Sequence, residues 1–206
     1  MSKKPVIVFE GIEGSGKSYH LSAVSRYLKK KNIDHIKIRE PGGSLNSEKI
    51  RKLILDKKSN FKRNTDLLLY LAARSENIDL LRRFFKKKII LIDRFVDSTV
   101  AYQHYGFGID IKLIRIINNY LLKDFKVNLT FLNTVNTNNM AKRLKLRKNI
   151  NRYDKFNKNF YKKVQNGFLK LAKKNINRYE IIDSNKDKDK NRSIIIKKIK
   201  KLIWMI

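Results

Sequence analysis

The sequence predicts an α/β fold in which a doubly wound, five-stranded parallel sheet is flanked by helices. Five short runs of apolar and β-branched residues alternate with longer segments that carry leucine or isoleucine at helical spacing. The run at residues 89–93 has no polar residue before its final aspartate, as is typical of a strand covered on both faces. A glycine-rich loop joins the first strand to the first helix, so ligands are expected beyond the carboxyl ends of the strands.

Each element follows from its local pattern. The predicted strands are apolar runs bounded by charged residues or turns, at residues 5–10, 36–40, 89–93, 128–132 and 179–183. The predicted helices carry the periodic apolar positions, at residues 17–31, 46–56, 65–86, 96–104 and 110–123. A basic, asparagine-rich helical region covers about 137–175, and a closing helix begins at about 189. No internal repeat is visible, so residues 1–206 are predicted to form a single domain.

Composition excludes several classes of protein. With 42% hydrophobic residues, eight glycines and two prolines, the 206-residue chain is too apolar for a disordered protein and unlike a fibrous one. The lack of cysteine excludes disulfide frameworks, thiolate zinc sites and cysteine nucleophiles, and it fits a reducing compartment. The first apolar run is too short for a signal peptide or a membrane span. We therefore expect a cytoplasmic protein with no membrane partner.

The net charge of +31, from 49 basic and 18 acidic residues, raises the hypothesis of a nucleic-acid-binding protein. Lysine, isoleucine and asparagine occur 35, 26 and 21 times, which is the bias expected when codons shift toward A and T. The lysines are spread over nearly every predicted helix and turn, whereas a nucleic-acid groove would gather them in one stripe with aromatic residues. We therefore expect no specific nucleic-acid partner, although the basic field would attract phosphate-bearing ligands.

Residues 11–18 (GIEGSGKS) match the phosphate-binding loop pattern, directly between a predicted strand and a predicted helix. Glycines let backbone N–H groups turn inward around an anion, and the helix N-terminus adds positive potential. Lys17 is expected to reach the outer phosphates of a nucleotide, and the Ser18 hydroxyl is a suitable ligand for Mg²⁺. The predicted phosphate contacts are Gly11, Glu13, Gly14, Ser15, Gly16, Lys17 and Ser18.

This loop alone does not identify the reaction, because GTPases, motor ATPases and small-molecule kinases share it. A GTPase would carry an Asn-Lys-x-Asp segment after a late strand, and the nearest match, residues 185–188, lacks the final acid in place. A motor ATPase would be longer and would close a strand with an acidic pair. Here the third strand closes with Asp93, a predicted metal ligand, followed by Arg94, which suits a second phosphate-bearing substrate. A structural ion pair between the two is the plainer alternative.

Five ordered motifs resemble those of bacterial thymidylate kinases over the whole chain. They are residues 9–18 (FEGIEGSGKS), 39–43 (REPGG), 71–74 (LAAR), 93–94 (DR) and 98–103 (STVAYQ). The second and last are specific to that family among kinases with a phosphate-binding loop. The resemblance implies the phosphate-loop kinase architecture, ATP as phosphoryl donor, Mg²⁺ as cofactor, thymidine monophosphate as acceptor and a homodimer.

Carried over position by position, the resemblance implies an acceptor site. Arg94 would bind the phosphate of thymidine monophosphate, and Arg74 would reach the thymine carbonyl. Thr99 would face N3 of the base with Gln103 nearby, and Tyr102 would press against the deoxyribose where a 2′-hydroxyl does not fit. The same resemblance adds to the acceptor site Glu13, Glu40, Arg51, Tyr70 and Ser98.

The sequence departs from the family pattern beside this site. Tyr70 stands where the family usually has a phenylalanine that stacks on thymine, and its spacing fits a core aromatic equally well. Phe95 replaces the usual tyrosine or histidine after Asp-Arg, so any polar contribution from that position is missing. Glu13 resembles the acidic residue of the family that contacts the 3′-hydroxyl of the sugar or the atoms next to it.

A lid is expected at about residues 140–155. Gly14 takes the position where one subgroup of the family has a loop arginine, so this chain resembles the subgroup that supplies its cations from the lid. The lid motif Asp-Arg-x-Glu reads Asn-Arg-Tyr-Asp at residues 151–154. Composition alone favours a solvated charged helix over an inserted mobile segment for this basic run. The resemblance selects as lid cations Arg147 and Arg152, with Lys148 as a further candidate.

The expected reaction is in-line transfer of the ATP γ-phosphoryl group to thymidine monophosphate. The acceptor phosphate is already a nucleophile, so the reaction requires positioning and charge neutralisation and no general base. The predicted catalytic residues are Lys17, Arg94, Arg147 and Arg152. Two alternatives stay open, another nucleoside-phosphate or deoxynucleoside kinase and an ATPase stimulated by nucleic acid.

Overall fold

The computed structural model describes residues 4–147 and 150–204. Its centre is an all-parallel sheet of β1 (Val6–Glu10), β2 (His35–Arg39), β3 (Ile89–Asp93), β4 (Leu129–Thr134) and β5 (Tyr179–Asp183). The spatial order is β2-β3-β1-β4-β5, which puts β1 in the middle. The predicted five-stranded parallel α/β fold is confirmed, with strand ends shifted by one or two residues.

Helices cover both faces of this sheet. They are α1 (Lys17–Lys30), α2 (Leu45–Leu55), α3 (Arg63–Phe84), α4 (Val96–Thr99), α5 (Ile111–Leu122), α6 (Thr137–Lys145), α7 (Lys158–Lys174) and α8 (Lys188–Trp204). Alternate residues of β1 pack on opposite faces, since Ile7 and Phe9 lie in the core beneath α1 and α8 while Val6 and Val8 lie in the core beneath α3. This two-sided burial explains why the strand residues are apolar without interruption.

Two predicted helices differ from the observed ones. The segment predicted at 96–104 is one α-helical turn followed by the π-helical stretch Val100–Gly106, in which the Phe107 N–H donates to the Tyr102 carbonyl. The region predicted at 137–175 is divided into α6, a short 3₁₀ turn (Arg152–Lys155) and α7. Asparagine side chains cause this division, because Asn151 and Asn157 cap the turn and α7 by accepting backbone N–H groups.

The pairing of β1 with β3 positions the functional residues. Phe9 lies opposite Asp93, so both strands end at the same edge of the sheet. Phe9 also stacks on Phe131 of β4, with ring centroids 5.3 Å apart. The loop that follows β1 and the Arg94 turn that follows β3 therefore begin side by side on a rigid support.

Within the described ranges, 4–147 and 150–204, no helix combines the length and the apolar character that crossing a bilayer requires.

Candidate active site

A cleft of about 470 Å³ opens at the carboxyl ends of the strands. This volume lies within the range of about 300–1,000 Å³ that small-molecule sites occupy. Its wall includes the phosphate-binding loop and the start of α1, the ends of β2 and β3, one face of α3, the π-helical stretch and residues of the predicted lid segment. Most of the residues that the sequence singles out thus share one cavity.

The phosphate-binding loop has the backbone shape that anion binding needs. Gly16 is the N-cap of α1 with φ +83°, and Lys17 is the first helical residue. At Gly11, a Cβ would lie 2.3 Å from the carbonyl oxygen of Asn133 on β4, so only glycine lets the loop leave the sheet this closely. Burial lowers the pKa of Lys17, and Arg94 lowers it further. A negatively charged ligand beside Lys17 would therefore stabilise the charged form of this side chain.

Two oxygen donors meet where the loop faces β3. The Ser18 hydroxyl donates to a carboxylate oxygen of Asp93 at 2.8 Å. A hydroxyl and a single carboxylate are hard oxygen ligands, and Mg²⁺ in phosphoryl-transfer sites takes only one or two such groups from the protein. The residues present therefore fit the predicted magnesium site.

Arg94 and Glu13 form the junction between the loop and the rest of the cleft. Arg94 donates to Glu13 at 2.7 Å and to the Ser98 hydroxyl at 3.3 Å, and its guanidinium lies 5.1 Å from the centre of the Tyr102 ring. The Tyr102 hydroxyl donates to the other Glu13 oxygen. Burial alone would raise the pKa of Glu13, but Arg94 and Lys17 outweigh it and hold this pKa below its ordinary value. Glu13 is thus an anion that aligns Arg94 and Tyr102.

Arg74 is the most constrained cation of the site, with 2% of its surface exposed. Three of its five N–H donors bind Glu40 at 2.7 Å, Asn118 at 2.6 Å and Thr99 at 3.0 Å. Burial raises the pKa of Glu40, although Arg74 opposes this change. The arrangement fixes Thr99 and Arg74 relative to each other at the inner end of the cleft.

Unpaired polar atoms lie beside this network. Among the described residues, the Gln103 amide nitrogen and one Glu40 carboxylate oxygen are buried without a hydrogen-bond partner, and both residues line the cleft. Tyr70 also lines the cleft, and its ring lies edge-on to that of Tyr153 with ring centroids 6.1 Å apart. A flat ligand that carries both donors and acceptors would satisfy these atoms and restore the hydrogen bonds they lack.

The base of the predicted lid segment is held against the phosphate-binding loop. Arg143 on α6 donates to the Gly14 carbonyl at 2.9 Å and to the Ser184 carbonyl at 2.7 Å. A Cβ at Gly14 would lie 3.3 Å from the Met140 carbonyl oxygen, tighter than most side chains allow. The glycine that the sequence shows in place of a loop arginine therefore leaves room for α6.

Of the predicted lid cations, Arg147 lines the cleft and pairs with Asp154 at 2.6 Å. Arg152 turns away from the cleft toward α3, where it binds the buried carboxylate of Asp66. The Tyr153 hydroxyl donates to the same carboxylate at 2.7 Å. The structure thus brings Arg147 to the site, and it gives Arg152 an anchoring contact. Lys148 lies outside the described residues.

Of the remaining predicted residues, Arg51 and Ser98 line the cleft, whereas Gly11 and Ser15 are not part of its lining. Arg51 donates to the Pro41 carbonyl at 2.6 Å, and burial lowers its pKa. Ser98 shares its hydroxyl between Arg94 and Glu10. Ser15 is fully buried within the loop, and its hydroxyl is unpaired among the residues that the structure describes.

Sequence reasoning missed several residues that hold the site together. Asn118 is a buried amide on the otherwise apolar inner face of α5, and a polar residue at such a position is a usable signal. Asp66 precedes Tyr70 by four residues and Arg74 by eight, so all three share one face of α3. Glu10 and Arg39 lie within the motifs at residues 9–18 and 39–43, but the sequence analysis assigned neither of them a role.

Comparison with known proteins agrees with this geometry. A family model described as thymidylate kinase matches residues 9–195. A relative named thymidylate kinase from Thermosipho africanus (strain TCF52B) is 39% identical over 189 residues, covering 89% of this chain and 91% of the relative. One of the same name from Kosmotoga olearia is 33% identical over 193 residues and 93% of both chains.

Solved structures lead to the same result. The crystal structure of thymidylate kinase from Ehrlichia chaffeensis superposes with a TM-score of 0.77 at 32% identity, covering 95% of this chain and 98% of the other. Fold, ordered motifs and whole-length similarity therefore agree, and the resemblance drawn from the sequence is confirmed. This chain is an enzyme of the thymidylate kinase family.

Proposed function

We propose that this enzyme transfers the γ-phosphoryl group of ATP to thymidine monophosphate, giving ADP and thymidine diphosphate for the synthesis of thymidine triphosphate. The observation that carries the proposal is one cleft with two anion sites. Lys17 and the loop amides form the first, and Arg94, aligned by Glu13, forms the second. A phosphoryl group can pass directly between two ligands held in this way.

On the donor side, the phosphate-binding loop would hold the β- and γ-phosphates, with Lys17 beside the outer oxygens. Ser18 and Asp93 would hold Mg²⁺, which when bound neutralises charge on the phosphates. Arg147 would reach the transferred group when the lid closes, exchanging its contact with Asp154 for the nucleotide. Closure of the lid excludes water that would otherwise hydrolyse ATP.

On the acceptor side, Arg94 would hold the phosphate of thymidine monophosphate as the nucleophile. An oxygen of that phosphate forms the new bond to γ-phosphorus while the bond to the β–γ bridging oxygen of ATP breaks, and ADP leaves with the electron pair. Glu13 and Tyr102 would contact the deoxyribose, supported by their position next to Arg94. Arg74, Thr99 and Gln103 would read the base, with the rest of the predicted pocket completed by Glu40, Arg51, Tyr70 and Ser98.

The assembly state belongs to the same proposal. We propose a homodimer in which α5 packs against a second copy of the chain. Leu113, Ile116 and Tyr120 lie three, four and seven residues apart on one face of α5, and Ile116 and Tyr120 are 67% and 76% exposed. A regularly spaced, exposed apolar stripe supports an interface with an apolar partner.

Three further parts of the proposal concern domain organisation, location and partners. We propose that residues 1–206 act as one kinase domain with its lid at about 140–155. A cytoplasmic location is supported by the lack of cysteine. The spread of lysines over the whole sequence supports an enzyme without a specific nucleic-acid partner.

An acceptor panel tests the proposed reaction. With ATP and Mg²⁺, thymidine monophosphate should be phosphorylated at least about tenfold faster than deoxyuridine monophosphate, because one methyl group in an apolar pocket changes affinity by about 1–3 kcal/mol. Thymidine lacks the phosphate that Arg94 binds and should not react, and adenosine monophosphate should react least of the nucleotides. ADP release at saturating donor is the measurement.

The competing functions have distinct outcomes in that panel. Faster turnover of thymidine or adenosine monophosphate would assign the chain to another nucleoside or nucleotide kinase reaction. ATP hydrolysis that rises on addition of DNA or RNA, with no transfer to any acceptor, would indicate a nucleic-acid-stimulated ATPase. Salt-sensitive binding of nucleic acid without hydrolysis would reflect the lysine excess alone.

Substitution of the two anion sites tests their roles. Lys17→Ala and Arg94→Ala should each lower kcat by about 10²–10³-fold or more, because each removes a charged donor to the transferred group or its acceptor. The exposed Lys29→Ala at the far end of α1 is the matched control and should keep normal turnover. Near-normal kcat in either site variant, with thermal unfolding unchanged, would contradict the assignment.

A double-mutant cycle separates the two possible roles of Arg152. If Arg152 anchors the lid to α3, Arg152→Ala and Asp66→Asn should lower kcat to a similar extent, and the double variant should be no worse than either. The readout is kcat at saturating ATP and thymidine monophosphate. A much larger loss in Arg152→Ala, additive with that of Asp66→Asn, would instead mean that Arg152 reaches the nucleotide, as the sequence resemblance implies.

A substitution in the apolar stripe of α5 tests the proposed dimer. Ile116→Glu places a charge in the apolar stripe of α5 and should shift the species in analytical ultracentrifugation from about twice 24.4 kDa toward 24.4 kDa. Ile176→Glu is the matched control, since Ile176 is 76% exposed but lies outside α5, and it should leave the mass unchanged. A monomeric unmodified protein at micromolar concentration would refute the proposal.

A further inference from the structure

Glu10 is a fully buried carboxylate for which the reaction described above has no use. It is the last residue of β1 and has no exposed surface. One carboxylate oxygen accepts the N–H groups of Phe95 at 2.8 Å and Ser98 at 3.2 Å, and the other accepts the Ser98 hydroxyl at 2.5 Å. All three donors belong to the four residues that follow Arg94, so among the residues that the structure describes the Glu10 carboxylate binds this turn alone.

The turn needs such support because of its backbone conformation. Arg94 has φ +66°, in the left-handed region that costs a non-glycine residue roughly 1–2 kcal/mol. The two peptide groups that flank its Cα are both bound by the end of β1. The Arg94 N–H donates to the Phe9 carbonyl at 3.0 Å, and the next N–H, that of Phe95, donates to Glu10. The unfavourable conformation is thus fixed from both sides.

The same contacts reach the guanidinium. Ser98 donates its hydroxyl proton to Glu10 and accepts a hydrogen bond from Arg94 at 3.3 Å. Glu10 therefore acts on Arg94 by two routes, through the backbone at Phe95 and through the side chain of Ser98. Neither route requires Glu10 to touch a ligand, and Glu10 is absent from the lining of the cleft as described.

We propose that Glu10 is a positioning residue for phosphoryl transfer, whose carboxylate locks the left-handed turn that aims Arg94 across the cleft. The inference rests on the proposed function, because it assigns Arg94 the acceptor phosphate. Misplacing a reacting group by about 1 Å costs on the order of 10²-fold in rate. A defect at Glu10 should therefore appear in kcat and in the response to thymidine monophosphate, and not in the response to ATP.

The charge state of Glu10 adds a second signature. Burial raises its pKa to about 7, Asp97 raises it as well, and Ser98, Arg94 and the Phe95 N–H oppose the rise. Lys17 on α1 and Tyr179 on β5 face it from the other packed elements. The ionised form accepts all three hydrogen bonds, whereas the protonated form must turn one oxygen into a donor. Positioning should therefore weaken as the pH falls through about 7.

Kinetics of Glu10→Gln test the proposal. Glutamine keeps the shape and one acceptor oxygen, so the variant should fold, lose about tenfold in kcat, and change the KM for ATP by less than twofold. Glu180→Gln, the same chemical change at the surface of β5, is the matched control and should behave as the unmodified enzyme. Wild-type kcat and wild-type KM for thymidine monophosphate in Glu10→Gln would overturn the proposal.

A pH profile between 6 and 9 distinguishes positioning from a structural defect. The unmodified enzyme should lose activity below about pH 7, and Glu10→Gln should lack that part of the decline. The acceptor phosphate has a second pKa of about 6, and its ionisation affects the pH profiles of both proteins equally. The readout is therefore the difference between the two profiles. Superimposable profiles after scaling would count against a positioning role.

A crystal structure of Glu10→Ala answers the question without an assay. Arg94 is expected to leave the left-handed region or to lose its contact with Glu13. If Arg94 keeps both, Glu10 does not position it. This measurement also separates the two hypotheses, since an unmodified enzyme that transfers nothing to thymidine monophosphate would refute the proposed function while the geometry of Arg94 would still decide the role of Glu10.

Discussion

The parallel pairing of β1 with β3, with Phe9 opposite Asp93, is the constraint on which the site depends. It ends both strands at one edge of the sheet, and the Arg94 N–H continues the ladder one step further by donating to the Phe9 carbonyl at 3.0 Å. The contacts from Ser18 to Asp93 and from Glu13 to Arg94 then join residues 75 and 81 positions apart. A slip of one residue in this pairing would turn Asp93, the last residue of β3, toward the opposite face of the sheet, because side chains alternate along a strand.

The cleft formed in this way holds more positive than negative charge. Its lining includes Lys17 and several arginines against only three acids, Glu13, Glu40 and Asp93. Burial is the main cause of the lowered pKa of Lys17, and Arg94 lowers it further, while Asp93, Glu13 and Glu10 oppose the change. A bound phosphate dianion places negative charge beside Lys17. Part of its binding free energy therefore comes from stabilising the charged form of this lysine, which burial alone makes unfavourable. Glu13 and Glu40 meanwhile keep Arg94 and Arg74 aligned, which lowers the entropy lost when a ligand binds them.

Local patterns in the sequence predicted the sheet and the phosphate-binding loop, because strand burial and loop geometry depend on neighbouring residues. Most of the acceptor residues that line the cleft were predicted only from the resemblance to thymidylate kinases. The contacts of Arg152 could not be predicted, since Asp66 lies 86 positions away and nothing in the spacing links them. The π-helical stretch at Val100–Gly106 was not predicted, for a different reason. Its residues have the periodicity of an ordinary helix, and the wider turn becomes visible only in the hydrogen bond from the Phe107 N–H to the Tyr102 carbonyl. Glu10 looked like the ordinary end of a strand, and its role depends on the left-handed turn at Arg94, which a sequence does not display.

The proposed acceptor pocket and the proposed lid share one face of α3, and this arrangement has a mechanical consequence. Asp66, Tyr70 and Arg74 follow one another at intervals of four residues, so the helix carries the lid anchor, the aromatic ring of the pocket and the innermost cation in a row. Tyr153 of the lid contacts the first two, through a 2.7 Å hydrogen bond to Asp66 and an edge-on contact with Tyr70. A base stacked on Tyr70 would touch the helix that holds the lid, so occupancy of the acceptor pocket and closure over the donor share a common support. Coupling of this kind favours transfer over hydrolysis, because the lid is best supported when an acceptor is in place.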